Sequence, residues 1–226
     1  ELYQVGKLSG ASGLLADELI AARKVSLFDV QEDACRKKDG TMGAYDVRRL
    51  VQLEHTRSGE PWYGKELPAA MAGVTHPLHF VDFEATRMAI PYHADMRPYG
   101  LVAFQWSCHT VAAPGAAPAH AEWLNDVDYW PNAQFLAALR EQIGDTGTVL
   151  TWSPYEASTV RDIVRDLEAE KGADPALVAW AKRLTDGERI LDLNKVALES
   201  FFYPGMAGRT SIKVVLDSLW RGDSVF

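Results

Sequence analysis

Cysteine is scarce in this sequence. Cys35 and Cys108 are the only two, and neither sits in a Cys-x-x-Cys pair, so a zinc ribbon is set aside. Two reduced thiols in a cytoplasmic protein are the expectation. No apolar run approaches the length of a membrane-spanning helix, and no membrane partner is expected. The first residues lack the basic, apolar and small-residue order of a signal peptide. Positive charge is also short. Lys and Arg number 23 against 31 Asp and Glu, a net charge of −8, which is the opposite of a dedicated duplex-binding surface. There is no His-x-x-x-His or His-Glu-x-x-His helix, which weakens a zinc hydrolase. A Gly-x-Ser-x-Gly elbow and a phosphate-cradling Gly-rich loop are missing too, which lowers serine hydrolases and P-loop nucleotide hydrolases.

What is present suits a globular chain. The 226 residues are 47% apolar with seven tryptophans, enough for one large domain or a domain with an extension. Residues 1–75 read as a helical extension, because "SGLLADELIAARKV" and "AYDVRRLVQLEH" carry apolar residues at helical spacing. "ACRKKDG" and "RSGEPWYG" read as turns. From residue 76 the pattern changes. "LHFVDFEA", "LVAFQWSCHTV", "HAEWLN" and "GTVLTW" read as strands, and "RILDL" as a short extended piece. Helices are expected over "NAQFLAALREQIG" with Asn132 as N-cap, over "SPYEASTVRDIVRDLEAEKG" with Ser153 as cap, after Asp174-Pro175, over "NKVALESFF", and over "RTSIKVVLDSLW". Adjacent strands followed by alternating elements predict an α/β fold, a mixed sheet covered by helices.

The chemistry concentrates in "VDFEA". Residues two apart on a strand share a face, so Asp82 and Glu84 project together while Val81 and Phe83 face the other way. Two bare carboxylates in an apolar strand repel each other and lose hydration, which is costly without a cation or a basic partner. An Asp-x-Glu pair is a natural seat for hard divalent ions such as Mg²⁺ or Mn²⁺. The alternative is a solvated pair at a strand end, bridged to Arg87 or Arg97. Glu156 is the next candidate, at the start of a helix after a strand, although Ser153-x-x-Glu156 equally fits a capping box. Asp192 is the third, and it could equally cap the following helix. His109 and Gln105 share a strand face beside a possible pocket. Lys213, at a helix start, is a candidate phosphate contact.

The block "PLHFVDFEATRMAIPYHADMRPYGLVAFQWSCHTV" resembles the signature of a bacterial family of uncharacterised domains. The matching elements are Asp82-Phe83-Glu84, Ile90-Pro91, Arg97-Pro98-Tyr99 and Phe104-Gln105-Trp106-Ser107-Cys108-His109, followed by Tyr155-Glu156, Asp192-Leu193 and Ser211-Ile212-Lys213. That family is similar to the DEDD exonucleases of the ribonuclease H-like superfamily. The resemblance implies a ribonuclease H-like mixed sheet of about five strands flanked by helices over residues 76–226. It further implies 3′ to 5′ phosphodiester hydrolysis in DNA or RNA by two metal ions. Asp82, Glu84 and Glu156 would be metal ligands, and Asp192 a fourth catalytic acid. Arg97, Tyr99, Gln105, His109 and Lys213 would line the substrate path.

Two departures from the superfamily pattern stand out. Glutamate replaces aspartate at position 156. After Asp192, none of Glu199, Asp217 and Asp223 stands in the expected Tyr- or His-preceded motif. The expectation is therefore a nuclease domain whose last motif lies beyond Phe226, following an upstream restriction-endonuclease-like domain in a longer protein. The competing expectations are a catalytically inactive module that binds nucleic acid or a partner nuclease domain, and a phosphohydrolase for small nucleotides.

Overall fold

A computed structural model describes residues 15–35, 41–93, 96–169 and 172–222. In chain order the main elements are α1 (Leu15–Ala21), α2 (Ala44–Ser58), β1 (Trp62–Tyr63), α3 (Leu67–Ala72), β2 (Leu78–Arg87), β3 (Leu101–Val111), β4 (Ala119–Leu124), α4 (Asn132–Ile143), β5 (Thr148–Thr151), α5 (Tyr155–Ala169), α6 (Pro175–Asp186), β6 (Ile190–Asp192), α7 (Leu193–Ser200), β7 (Phe201–Phe202) and α8 (Ile212–Gly222). They form two compact units, one of residues 1–71 with 194–226 and one of residues 72–193.

The second unit is α/β. Its five strands lie in the order β4-β3-β2-β5-β6. β2 and β3 pair antiparallel, as do β3 and β4, whereas β2 with β5 and β5 with β6 are parallel. The sheet is therefore mixed and flanked by helices, as the strand pattern predicts. One face is the core: Val81, Phe83, Trp106, Cys108 and Val149 are buried with Phe135, Leu139, Val160, Ile163 and Trp180 of α4, α5 and α6. Phe135 meets Phe83 edge-on, with centroids 4.9 Å apart. Each such side chain withdrawn from water contributes about 1.5–3 kcal/mol. The opposite face is open at its antiparallel side. Phe80, Asp82 and Glu84 on β2, His109 on β3, and His120, Glu122 and Leu124 on β4 are all exposed.

A β-bulge interrupts the β2–β3 register between Glu84 and Ala85: Glu84 faces Gln105 but Ala85 faces Ala103, so Phe104 is the extra residue. Bulges bend a strand and re-aim the side chains beside them, and this one adjoins the Asp-x-Glu pair.

Two local expectations change. Asn132 is not the N-cap of α4. The helix starts at Asn132, and Pro131 holds the cap position without a side-chain bond. The Asn132 amide works sideways instead. Its oxygen accepts from the Ala103 N–H at 3.0 Å and its nitrogen donates to the Leu101 carbonyl at 3.0 Å. A buried amide that satisfies both a donor and an acceptor of a strand is held more firmly there than at a helix end. The second change is at Phe201-Phe202, expected to continue a helix. These residues leave α7 and pair antiparallel with Trp62-Tyr63, a ribbon between segments far apart in sequence.

In the first unit the α2 residue Arg48 is buried, donates to the carbonyls of Ala197 and Phe201, and stacks on Phe202. The expected phosphate contact Lys213 is exposed on α8 of this unit. The helix expected after Asp174-Pro175 is α6: Asp174 caps it by accepting from the Ala176 N–H at 2.8 Å, and Gly187 closes it.

Candidate active site

The candidate acids lie level with the carboxyl ends of β5 and β6, the side of the sheet where open α/β folds place their sites. Phe80 of β2 is level with Leu150 of β5. Asp82, two residues on, therefore stands at the level where β5 ends and the chain turns into α5. Asp192 closes β6 opposite Thr151, the last residue of β5. Glu156 lies in the first turn of α5. Three adjacent parallel elements thus bring one acid each to one end of the sheet. Glu84 shares the open face with Asp82, further along β2.

Their environments differ. Asp82 and Glu84 are exposed, so the acids of the apolar strand are not themselves buried. β2 is buried on one face only, and alternation puts both carboxylates on the other. Among the described residues neither side chain has a hydrogen-bond or ion-pair partner. The basic residues nearest in sequence are engaged elsewhere: Arg87 pairs with Asp162 and Arg97 with Asp166, both on α5. The bridge from Arg87 or Arg97 to the Asp-x-Glu pair is therefore not formed.

The desolvated carboxyl is Glu156, 6% exposed. Burial pushes its pKa up, and the negative charges of Asp82 and Asp192 push the same way. Its own backbone N–H and the Ser153 hydroxyl act against them. The hydroxyl accepts from the Tyr155 N–H at 3.1 Å and lies 3.4 Å from Glu156 Oε2. Ser153 thus caps the helix as expected, while Glu156 bonds to the cap's side chain. Glu156 also lines a cavity of about 10 Å³ with Val81, Phe83, Val149, Thr151 and Val160. Such a space holds one water at most, and apolar walls leave it dry.

The donor chemistry suits a hard cation: oxygen ligands only, and no base compensating Asp82 or Glu84. The spacing is wider than the chemistry. Among the described residues no three His, Cys, Asp or Glu side chains gather into a metal-holding group. β2 and β6 flank β5, so their backbones stand two strand spacings apart, about 9.6 Å. An ion would have to draw the side chains inward.

The remaining candidates scatter. Arg97 is occupied by Asp166 at 3.4 Å. Tyr99 is exposed near the end of the β2–β3 connection with φ +58°, its N–H bonded to the Met88 carbonyl at the connection's start. Gln105 is half-buried opposite Glu84. His109 is exposed between Phe80 and His120, its ring 4.6 Å from that of His120. Lys213 belongs to the other unit. Sequence reading passed over Asp162 and Asp166, which occupy the two arginines. Their spacing of four on α5 was the available signal.

No curated protein and no solved structure matches the chain. A family model does, over residues 79–211, a span that holds β3 to β6, all of β2 after Leu78, and every acid just described. That is more than half of the sequence, and the chain belongs to the family described as a domain of unknown function, DUF2779.

Proposed function

We propose that residues 72–193 form a divalent-metal-dependent phosphodiesterase, a nuclease domain of ribonuclease H-like type acting on DNA or RNA ends. The observation that carries this reading is the approach of Asp82 in the middle of β2, Glu156 in the first turn of α5 and Asp192 at the end of β6, close enough for two of them to raise the pKa of the third. The mixed five-stranded order and the resemblance of the Asp82-Phe83-Glu84 block to DEDD exonucleases support it. Asp82, Glu84 and Glu156 would hold Mg²⁺ or Mn²⁺. Bound there, such ions supply an activated water and a stabilised leaving oxygen. The chain's own part is positional. β2 presents two carboxylates on one open face, Ser153 orients Glu156, and the end of β6 fixes Asp192. Burial and the neighbouring acids raise the Glu156 pKa, and a metal needs the ionised carboxylate, so affinity rises with pH through that raised range.

The test is cleavage of end-labelled single- and double-stranded DNA and RNA by the full-length protein with Mg²⁺ or Mn²⁺. Stepwise shortening that disappears in Asp82→Asn is expected. Absence of metal-dependent cleavage, or cleavage unchanged in that variant, overturns the proposal. One observation favours a second reading, a non-cutting module that binds nucleic acid or a nuclease partner: the acids do not close into a metal-holding group among the described residues. Oligonucleotide binding without cleavage would favour that reading.

A further inference from the structure

We infer that Arg87 and Arg97 are positioning residues, a two-point clasp that sets where α5 presents Glu156 relative to Asp82; this rests on the reading of those acids as one site. Arg87 ends β2, and its Nη2 donates to Asp162 Oδ2. Arg97, from the connection between β2 and β3, reaches Asp166 Oδ1 at 3.4 Å. Asp162 and Asp166 are one helical turn apart, so they share a face of α5. Arg165 of the same helix donates to the other oxygen of Asp162, which its two arginines hold below the usual carboxylate range. Asp166 is mostly buried, and its second oxygen has no partner.

The geometry explains why two points matter. One ion pair tethers a helix but lets it pivot. Two pairs a turn apart on one face fix both its rotation and its slide along the axis. Packing of Val160, Ile163, Val164 and Leu167 holds α5 against the core, and the two ion pairs add directional contacts to it. The clasp lies about 17 Å along β2 from Asp82 and about 9 Å along α5 from Glu156. It therefore touches neither acid, yet joins the two elements that carry them. Glu156 is buried and feels the charge of Asp82, so where α5 sits sets how close the two acids stand. The same ion pairs account for why neither arginine neutralises the Asp-x-Glu pair.

The experiment is a double-mutant cycle on unfolding of the full-length protein in chelator, pairing Arg87→Gln with Glu156→Gln, and separately Asp166→Asn with Glu156→Gln. Sites this far apart are ordinarily additive to within about twofold in the unfolding equilibrium constant. The clasp predicts non-additivity of more than about threefold in both cycles, and its recovery when Arg87→Asp is combined with Asp162→Arg. Additive cycles overturn the inference whatever the activity of the protein, because they would show ion pairs that stabilise without positioning. If cleavage is found, Arg87→Gln lowers kcat about 10- to 100-fold with KM nearly unchanged; a change in KM alone contradicts the clasp. Non-additive cycles in a protein that does not cleave would leave the clasp standing and remove the proposed reaction.

Discussion

Replacing Glu156 with glutamine should stabilise the metal-free protein at neutral pH, although it alters a buried residue with a hydrogen bond. Glutamine keeps the volume and an oxygen for the Ser153 hydroxyl, 3.4 Å away, and removes the charge while exchanging one acceptor oxygen for an amide nitrogen. Burial, then Asp82 and Asp192, raise the carboxyl pKa in the folded chain. The folded state therefore binds this proton more tightly than the unfolded state. Below the unfolded value of about 4.3 both states are protonated and the charge costs nothing. As pH rises through the unfolded and then the raised folded pKa, that stability is lost, and above the folded value the whole penalty stands. Each unit of displacement is worth about 1.4 kcal/mol. For a buried carboxylate held only by its own backbone N–H and one long hydroxyl bond, the penalty is about 1–3 kcal/mol. Urea unfolding in chelator, stepped from about pH 4 to pH 8, should show Glu156→Gln gaining on the parent as pH rises and the two converging in acid. Saturating Mn²⁺ should reverse the order, because the parent gains about 2.7 kcal/mol at a hundredfold excess over Kd. A parent more stable than the variant at neutral pH in chelator, or a gap independent of pH, would refute the reasoning.

Further outcomes test the frame that carries the site. Gly147 has φ +78°, and a Cβ there would lie 2.1 Å from the Pro77 carbonyl oxygen, so Gly147→Ala should cost more than about 2 kcal/mol in chemical denaturation. Arg189 donates to the carbonyls of Ile143, Gly144, Thr146 and Gly147, tying the end of α4 to the start of β5. Arg189→Met should lower stability by about 2–3 kcal/mol, read by the same denaturation, with faster amide exchange at Thr148 and Val149.

Much of this frame is legible in the sequence because it is local. Alternation in "HFVDFEA" gives β2 and the shared face of Asp82 and Glu84, and Asp174-Pro175 gives the start of α6. What escaped depends on distant partners. The β1–β7 ribbon joins two-residue strands whose pairing no periodicity announces. The bulge at Glu84 needs the register of β3 as well as the pattern of β2. Asn132 looks like a cap because its type and position fit one, and only the approach of β3 shows a better partner. For the site, sequence identified the acids but assigned the desolvation to the wrong one. Asp82 and Glu84 sit on an open face, while Glu156, whose capping role looked sufficient, is buried. Arg87 and Arg97 could not be allotted to Asp162 and Asp166 without the placement of α5.

The most direct test of the central claim is a calorimetric titration of Mn²⁺ into the full-length protein at several pH values. The account predicts saturable binding that tightens with rising pH and is lost in Asp82→Asn. No binding, or binding unchanged by Asp82→Asn, would contradict it.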